Sequence, residues 1–406
     1  MRLVLALGVM ISAGACGSAM AQSSGVPTGG AQRVHKIDLI ADLLYESNVA
    51  HASEELAAKR GITPEDTTVR PKVNFDIVQP IGREAIFLNG FAGYDFHQNN
   101  KQLNRINADL TGGVMGRVGP CQGNASYSYM AAQTEPEDTV DVSTVRNLLI
   151  QQTAAVGVAC GQGSGLHESI AYHHQKADNS NSIRQATDHY GDGVSGQIGY
   201  GNPSFGSIGL VGSWAKEYYP NRLIALGVTG DSFTSESIGI NYERAFGAKL
   251  KAGVTISDSF LERSHAPTGL SKNTSGLTYD VNASYAASNA LGFTFTAARA
   301  YQPSNRPGKL YDLVTSVQGD ANYRVGTRIT VNLGAIWQNL ESNVDSVTVF
   351  LTPTKFDKTA YFAGVAYKQG RRATISFQLR HEEETTNIPA FDYTDTRATL
   401  SLGVSY

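Results

Sequence analysis

The chain has 406 residues, with 33 Lys and Arg against 36 Asp and Glu and a formal net charge of -3. This near-balance supplies neither a basic field for nucleic acid nor an acidic tail. Mean hydropathy is -0.22, and no run of about 18 apolar residues follows the N-terminus, which excludes a transmembrane helix in the mature chain but not a barrel, whose strands need only every second residue apolar.

Length alone would allow two or three domains, but the patterning points to one large unit. Glycine (42) and tyrosine (19) are abundant, which suits sheet better than helix because Gly is costly in helix interiors. Residues 1–21 have the marks of an export signal: Arg2, the apolar stretch from Leu3 to Ala15, and Ala19-Met20-Ala21 before Gln22. Lipoprotein processing at Cys16 is the alternative, although Ala13-Gly14-Ala15-Cys16 lacks the usual Leu. Residues 22–34, rich in Ser, Gly and Gln, read as a flexible periplasmic lead-in, and 35–406 as the folded unit.

From about His35 to Asn48, Ile37, Leu39, Ala41, Leu43 and Tyr45 alternate with Lys36, Asp38, Asp42 and Glu46. A side-chain period of two marks a strand between an apolar and a polar medium. A long polar excursion is expected over 49–66. A second strand spans Thr68 to Gln79, where Pro71 cannot donate to a ladder and a local bulge is expected. The same rhythm then recurs along the chain, for example Ile106, Ala108, Leu110, Gly112 and Val114 against Arg105, Asn107, Asp109 and Thr111. It ends on Ala398, Leu400, Leu402, Val404 and Tyr406. About eighteen strands result, an even number, as in bacterial single-chain barrels. A last strand with no turn after it is expected to close against the first.

Short connections at Ile81-Gly82, Gly119-Pro120, Phe246-Gly247, Val325-Gly326 and Gln369-Gly370 alternate with long polar ones at 218–231, 261–272, 302–310, 341–357 and 381–391. Short turns on one rim and long loops on the other are what an outer-membrane barrel has on its periplasmic and extracellular sides. Tyr200, Tyr242, Tyr285, Tyr323, Tyr367 and Tyr406 fall at the periplasmic ends of their strands, on the apolar face, as an interfacial aromatic girdle requires. The fold class is therefore an all-β transmembrane barrel of antiparallel up-and-down strands in the Gram-negative outer membrane. At this strand number side chains cannot fill the interior, so water enters. Arg105, Arg117, Lys249, Lys251, Arg372 and Arg380 mix with Asp76, Asp109, Asp280 and Asp320 on the polar faces. Such a mixed wall assigns no ion preference, and wetting the lumen is a sufficient role for any single one of them.

Cys121 begins one strand and Cys160 ends the next, symmetric about the loop near Val140. A simple hairpin register sets them opposite each other at the periplasmic rim, where an oxidising compartment favours a disulfide. No His or third Cys accompanies them in a ligand spacing, so no metal site is expected. Nor is a catalytic constellation. His173-His174 and His189 lie near Asp188 and Asp192, but adjacent strand residues point to opposite faces. No G-x-S-x-G, P-loop or H-E-x-x-H occurs. Tyr172, His173, His174, His189, Tyr190, Tyr218 and Tyr219 could stack sugars, with girdle or loop packing as the plainer reading. No cofactor is implied.

The strand end Tyr45-Glu46-Ser47-Asn48-Val49 resembles the Tyr-Asp-x-Asn-Val that opens the β-barrel porins of exopolysaccharide operons, the EpsL-like family, with Glu46 in place of Asp. Trp214 followed by Lys216-Glu217-Tyr218 is similar to an aromatic pattern recurring there. The resemblance implies a barrel partnered with polysaccharide synthesis and export machinery. The expected function is a passive pore for exopolysaccharide. A general diffusion porin for small hydrophilic solutes, or a closed barrel serving as surface receptor or adhesion scaffold, are the alternatives. Expected partners are outer-membrane lipids, the barrel-assembly machinery through the strand ending at Tyr406, periplasmic polysaccharide-export proteins and the polysaccharide or solute itself.

Overall fold

The computed structural model describes residues 32–134, 146–161, 164–225, 227–265, 271–306, 309–343 and 353–406. The expected export signal, most of the expected lead-in and the charged stretch 135–141 lie outside the described residues.

Eighteen strands follow in chain order. The first six are β1 (Val34–Glu46), β2 (Asp66–Ile81), β3 (Glu84–His97), β4 (Arg105–Val118), β5 (Cys121–Gln133) and β6 (Leu148–Cys160). Next come β7 (Gly165–Asn179), β8 (His189–Asn202), β9 (Gly206–Ala225), β10 (Val228–Phe246), β11 (Leu250–Arg263) and β12 (Asn273–Ala286). The last six are β13 (Leu291–Pro303), β14 (Tyr311–Val325), β15 (Ile329–Ser342), β16 (Lys355–Gln369), β17 (Ala373–Thr386) and β18 (Tyr393–Ser405). Each pairs antiparallel with its neighbours in sequence, and β18 returns to β1, with Asp38 opposite Ser405 and Glu46 opposite Arg397. The ring of strands is closed, so the sheet has no edge strand, although β12 and β13 pair over only part of their length. A path stepped from partner to partner once around the wall returns about 22 residues displaced, a stagger that tilts strands by about 40°.

Alternation sets what each face meets. Leu39 and Leu43 point outward at 47% and 46% exposure, whereas Asp42 and Glu46 point inward at 5% and 7%. Ile170, Ile198, Leu210, Ile238, Leu277 and Leu333 are likewise exposed on the outside. The tyrosine girdle stands at the rim of short turns. Tyr200 stacks with Phe205 and Tyr285 with Phe293, and the Tyr242 hydroxyl donates to the Phe205 carbonyl at 2.7 Å.

Several sequence expectations need correction. Pro71 causes no bulge: it stands opposite Ala41 in unbroken β1–β2 register, and the β2–β3 ladder merely skips from Val69–Phe96 to Lys72–Gly93. The proline side, lacking an N–H, faces the interruption. The 49–66 excursion is not uniformly polar but carries a small apolar core. It holds α1 (Glu54–Lys59), capped by the Ser53 hydroxyl, which accepts from the Leu56 N–H. Val49, Ala50, Ala57 and Ile62 bury against Leu103, and Ala52 and Leu56 against Phe391. The buried Arg60 donates to the Ala50 carbonyl at 2.6 Å and lies over the Phe391 ring. Residues 218–231 are no open loop: β9 and β10 stay paired up to Ala225 and Val228, with two register shifts near the tip. β17 similarly runs on to Thr386, shortening the 381–391 loop.

Candidate functional site: the lumenal wall

The inner wall on either side of the β1–β18 seam is charged. Arg397 on β18 reaches Glu46 at 3.1 Å, Asp395 at 2.6 Å and the His51 Nε2 at 2.6 Å. His51, from the α1 loop, stacks on Tyr393 with ring centroids 4.7 Å apart. On the β17 side, Glu382 takes Arg380 at 2.6 Å, Lys358 at 3.2 Å and the Tyr393 hydroxyl at 2.8 Å. Lys358 also reaches Glu384 at 3.2 Å. On the β2 side, Lys72 pairs with Asp42 at 2.7 Å, and Arg70 grips Asp95 through two hydrogen bonds of 2.5 and 2.8 Å. Period-two strands make this possible, because side chains two residues apart on one strand meet the same face of the next. The belt is nearly self-neutralised. It can hold hydration and orient a polar solute without acting as a filter of one sign.

Glu46, His51 and Asp395 present ligand atoms within 4.8 Å of one another. The Arg397 guanidinium bonds to all three, so the cation of this cluster is the protein's own. The Ser207 hydroxyl lies 3.2 Å from His167 Nε2 on the inner wall; among the described residues no carboxylate is bonded to that imidazole, so the pair lacks the orienting group of a catalytic triad.

The residues singled out from the sequence fall as follows. Arg105, Asp109, Arg117, Lys251, Asp280, Asp320 and Arg380 occupy inward positions of their strands. Arg105 donates to the Asn104 carbonyl, and Asp320 accepts from Gln318 at 2.9 Å. Lys249 and Arg372 stand at the rim, one residue before β11 and β17 begin, and their carbonyls accept from the Ala286 and Ser405 N–H groups at 2.8 Å. They end the turns Gly247-Ala248-Lys249 and Gly370-Arg371-Arg372, whose glycines take φ of +66° and +72°. Each three-residue turn places the following residue, not the cation, at the first rung.

The sugar-stacking candidates do not converge. Tyr172, His174, Tyr190 and Tyr218 are on the outer face; Tyr172 and His174 both bond Asp192, the latter at 3.0 Å. His173, His189 and Tyr219 face inward, and His189 packs on Tyr219 at 5.0 Å. Asp188, at the loop before β8, accepts from the Asn179 amide, and burial pushes its carboxyl above the usual range. Arg70, Lys72, Asp395 and Arg397 are the partners that sequence reading did not assemble. Their signal was present as charges on polar faces, but the pairing depends on registers across the closing seam.

The Cys121–Cys160 disulfide is formed, with Cα atoms 4.3 Å apart at the rim of short turns. It continues the β5–β6 register, in which Gln122 faces Ala159.

No protein-family model and no curated protein sequence matches the chain. Among solved structures it is similar to a BenF-like porin from Pseudomonas fluorescens Pf-5 (TM-score 0.49, 10% identity, covering 92% of this chain and 99% of that one). It is also similar to the outer membrane protein OpdK from Pseudomonas aeruginosa (0.46, 11%, 92% and 99%). A third likeness is to the FrpB iron transporter of Neisseria meningitidis, F5-1 variant (0.49, 8%, 88% and 64%). The chain spans 62 to 64% of the length of the FrpB structures it matches. The closed wall, the apolar exterior and the aromatic rim themselves require a bilayer, and in a barrel of eighteen strands they make this a multi-pass outer-membrane protein.

Proposed function

We propose that the protein is a passive outer-membrane pore for hydrophilic solutes, with exopolysaccharide as the cargo. The observation that carries the pore is the contrast between the two faces of one closed sheet: apolar outside, and lined inside by the paired charges around Arg397, Glu382 and Arg70. The polysaccharide reading is supported by the resemblance of Tyr45-Glu46-Ser47-Asn48-Val49 to the EpsL-like porins. In the structure this motif sits where β1 enters the α1 loop, with Asn48 N–H and Ser47 Oγ both bonded to Asp395 at 2.9 and 3.1 Å. Periplasmic export proteins would dock at the rim of short turns.

A general diffusion porin is favoured by a different observation, the loop packing at the opposite mouth, which leaves less room for a chain polymer. Deleting the gene and measuring secreted polymer separates the two. Loss of secretion with intact synthesis supports export. Normal secretion, with slower uptake of small sugars or organic acids, supports the diffusion porin.

A further inference from the structure

The β12–β13 boundary differs from its neighbours. β12 is paired with β11 from Asn273 to Tyr285, and β13 with β14 from Leu291 to Pro303. Between them, pairing covers only Tyr279–Ala286 against Gly292–Arg299. Residues 273–278 and 300–303 face one another without a rung, and no other described hydrogen bond joins them. The last rung stands about 15 Å above the Tyr285 girdle along the membrane normal, inside an apolar band about 25 Å tall. Backbone groups left unpaired against hydrocarbon are expensive, so a polar partner is needed there.

The gap exists because the tip of the β13–β14 hairpin leans into the mouth. Alternation would put Tyr301 and Tyr311 outside with Phe293 and Tyr323. Instead they pack against Tyr219, Phe233 and Leu261, which line the inner wall of β9, β10 and β11. The Tyr219 hydroxyl donates to the Leu310 carbonyl at 3.0 Å, and Arg222 to the Lys309 carbonyl. The Tyr301 hydroxyl lies 2.8 Å from where a Cβ on Gly276 would stand, so glycine there makes room for it.

At the foot of the gap Arg299 shares the outward face with Phe293 and Phe295, and its Nε is buried without a partner. Arg299, Tyr279, Ile256, Ile240 and Leu210 are successive cross-strand partners on that face. Leu210, Ile238, Ile240, Ile256 and Leu277 line an apolar groove that Asp258 also borders.

We propose that the β12–β13 gap is a lateral binding portal for a single-chain anionic amphiphile. Its head lies against Arg299 and the unpaired strand edges, and its tail runs down from the outer leaflet along Leu277, Ile256 and Ile240. Asp258 restricts the head to one anionic group near Arg299. The site is independent of what passes along the barrel axis.

The test uses full-length protein in phosphatidylcholine nanodiscs, with Leu277→Trp in a Trp214→Phe, Trp337→Phe background, titrated with 12-bromododecyl phosphate. Saturable fluorescence quenching is expected. Arg299→Gln should weaken it at least tenfold and Arg299→Lys should restore most of it, while unbrominated dodecyl phosphate competes and inorganic phosphate does not. Should Leu277→Trp fold poorly, Ile256→Trp reports on the same groove. Quenching indifferent to Arg299→Gln, equal quenching by a brominated neutral dodecyl maltoside, or competition by inorganic phosphate alone would overturn the proposal. So would competition by lipopolysaccharide but not by dodecyl phosphate, which would assign the surface to a bilayer lipid.

Discussion

Glu46 and Arg397 are direct cross-strand partners at the seam where the first and last strands meet, with Arg397 Nε 3.1 Å from Glu46 Oε1. The same guanidinium holds Asp395 and His51. One side chain thus ties the closing strand, the opening strand and the loop that follows it. A barrel gains cooperative stability only once its ends join, so this contact is placed where closure is decided.

Arg397→Met should therefore be among the more damaging single substitutions in the wall. It leaves the Glu46 and Asp395 carboxylates buried without their cation, at a cost of roughly 3–5 kcal/mol. Glu46→Gln, which keeps a hydrogen-bonding group, should cost about 1–2 kcal/mol. Lys59→Ala removes only the exposed Lys59–Glu55 pair and should change stability by less than about 0.5 kcal/mol. Urea unfolding from vesicles, or the temperature at which the compact band disappears on a semi-native gel, ranks the three.

Removing the rim disulfide should weaken the fold without abolishing it. The bond closes 39 residues, and the chain-entropy model assigns such a loop roughly 4 kcal/mol. Cys121→Ser with Cys160→Ser should still insert and run as a compact species, with a lower unfolding midpoint. Non-reduced peptide mapping of the wild type should recover the two cysteines linked.

Facing should decide the cost of a new charge. Ile240 points to lipid, and Asn241 points inward, where it donates to Thr255 at 3.0 Å. Ile240→Arg lies inside the apolar band, two residues from Tyr242, and should destabilise by roughly 1–3 kcal/mol, whereas Asn241→Arg should cost no more than about 1 kcal/mol. Equal costs would mean that the two faces are wrongly assigned.

The mouth should loosen when Tyr219 loses its hydroxyl. Tyr219→Phe removes the bond to the Leu310 carbonyl, worth about 1 kcal/mol, while keeping the ring against Phe233. More frequent open–closed transitions in single-channel records, with global stability lowered by no more than about 1 kcal/mol, is the expected result.

The barrel was legible because its rule is local. Lipid on one side and water on the other stamp a period of two on every strand, and Tyr200, Tyr285 and Tyr406 repeat at one end of it. Cys121 and Cys160 were also legible, since one hairpin register suffices to place them. The site was only half legible. Asp42, Glu46, Arg70 and Lys72 show as charges on polar faces, but their partners depend on registers between strands as far apart in sequence as β1 and β18. The loops were least legible. Tyr218 to Asp231 carries enough polar residues to look like a loop, yet pairing between β9 and β10 continues through it. The α1 loop hides its core in scattered residues such as Val49, Leu56 and Ile62, whose partners Leu103 and Phe391 lie on other loops. Lys249 and Arg372 fall one residue before their strands begin, a boundary that a period of two cannot detect.

The measurement that bears most directly on the account is conductance across a planar lipid bilayer of the purified, refolded protein, with insertion verified independently by protease protection. A water-filled barrel predicts discrete, ohmic conductance steps with weak ion selectivity, as a nearly neutralised wall requires, and reversal potentials that shift toward anions in Glu382→Gln. Verified insertion with no conductance at any applied voltage, and none after Tyr219→Phe, would contradict a pore.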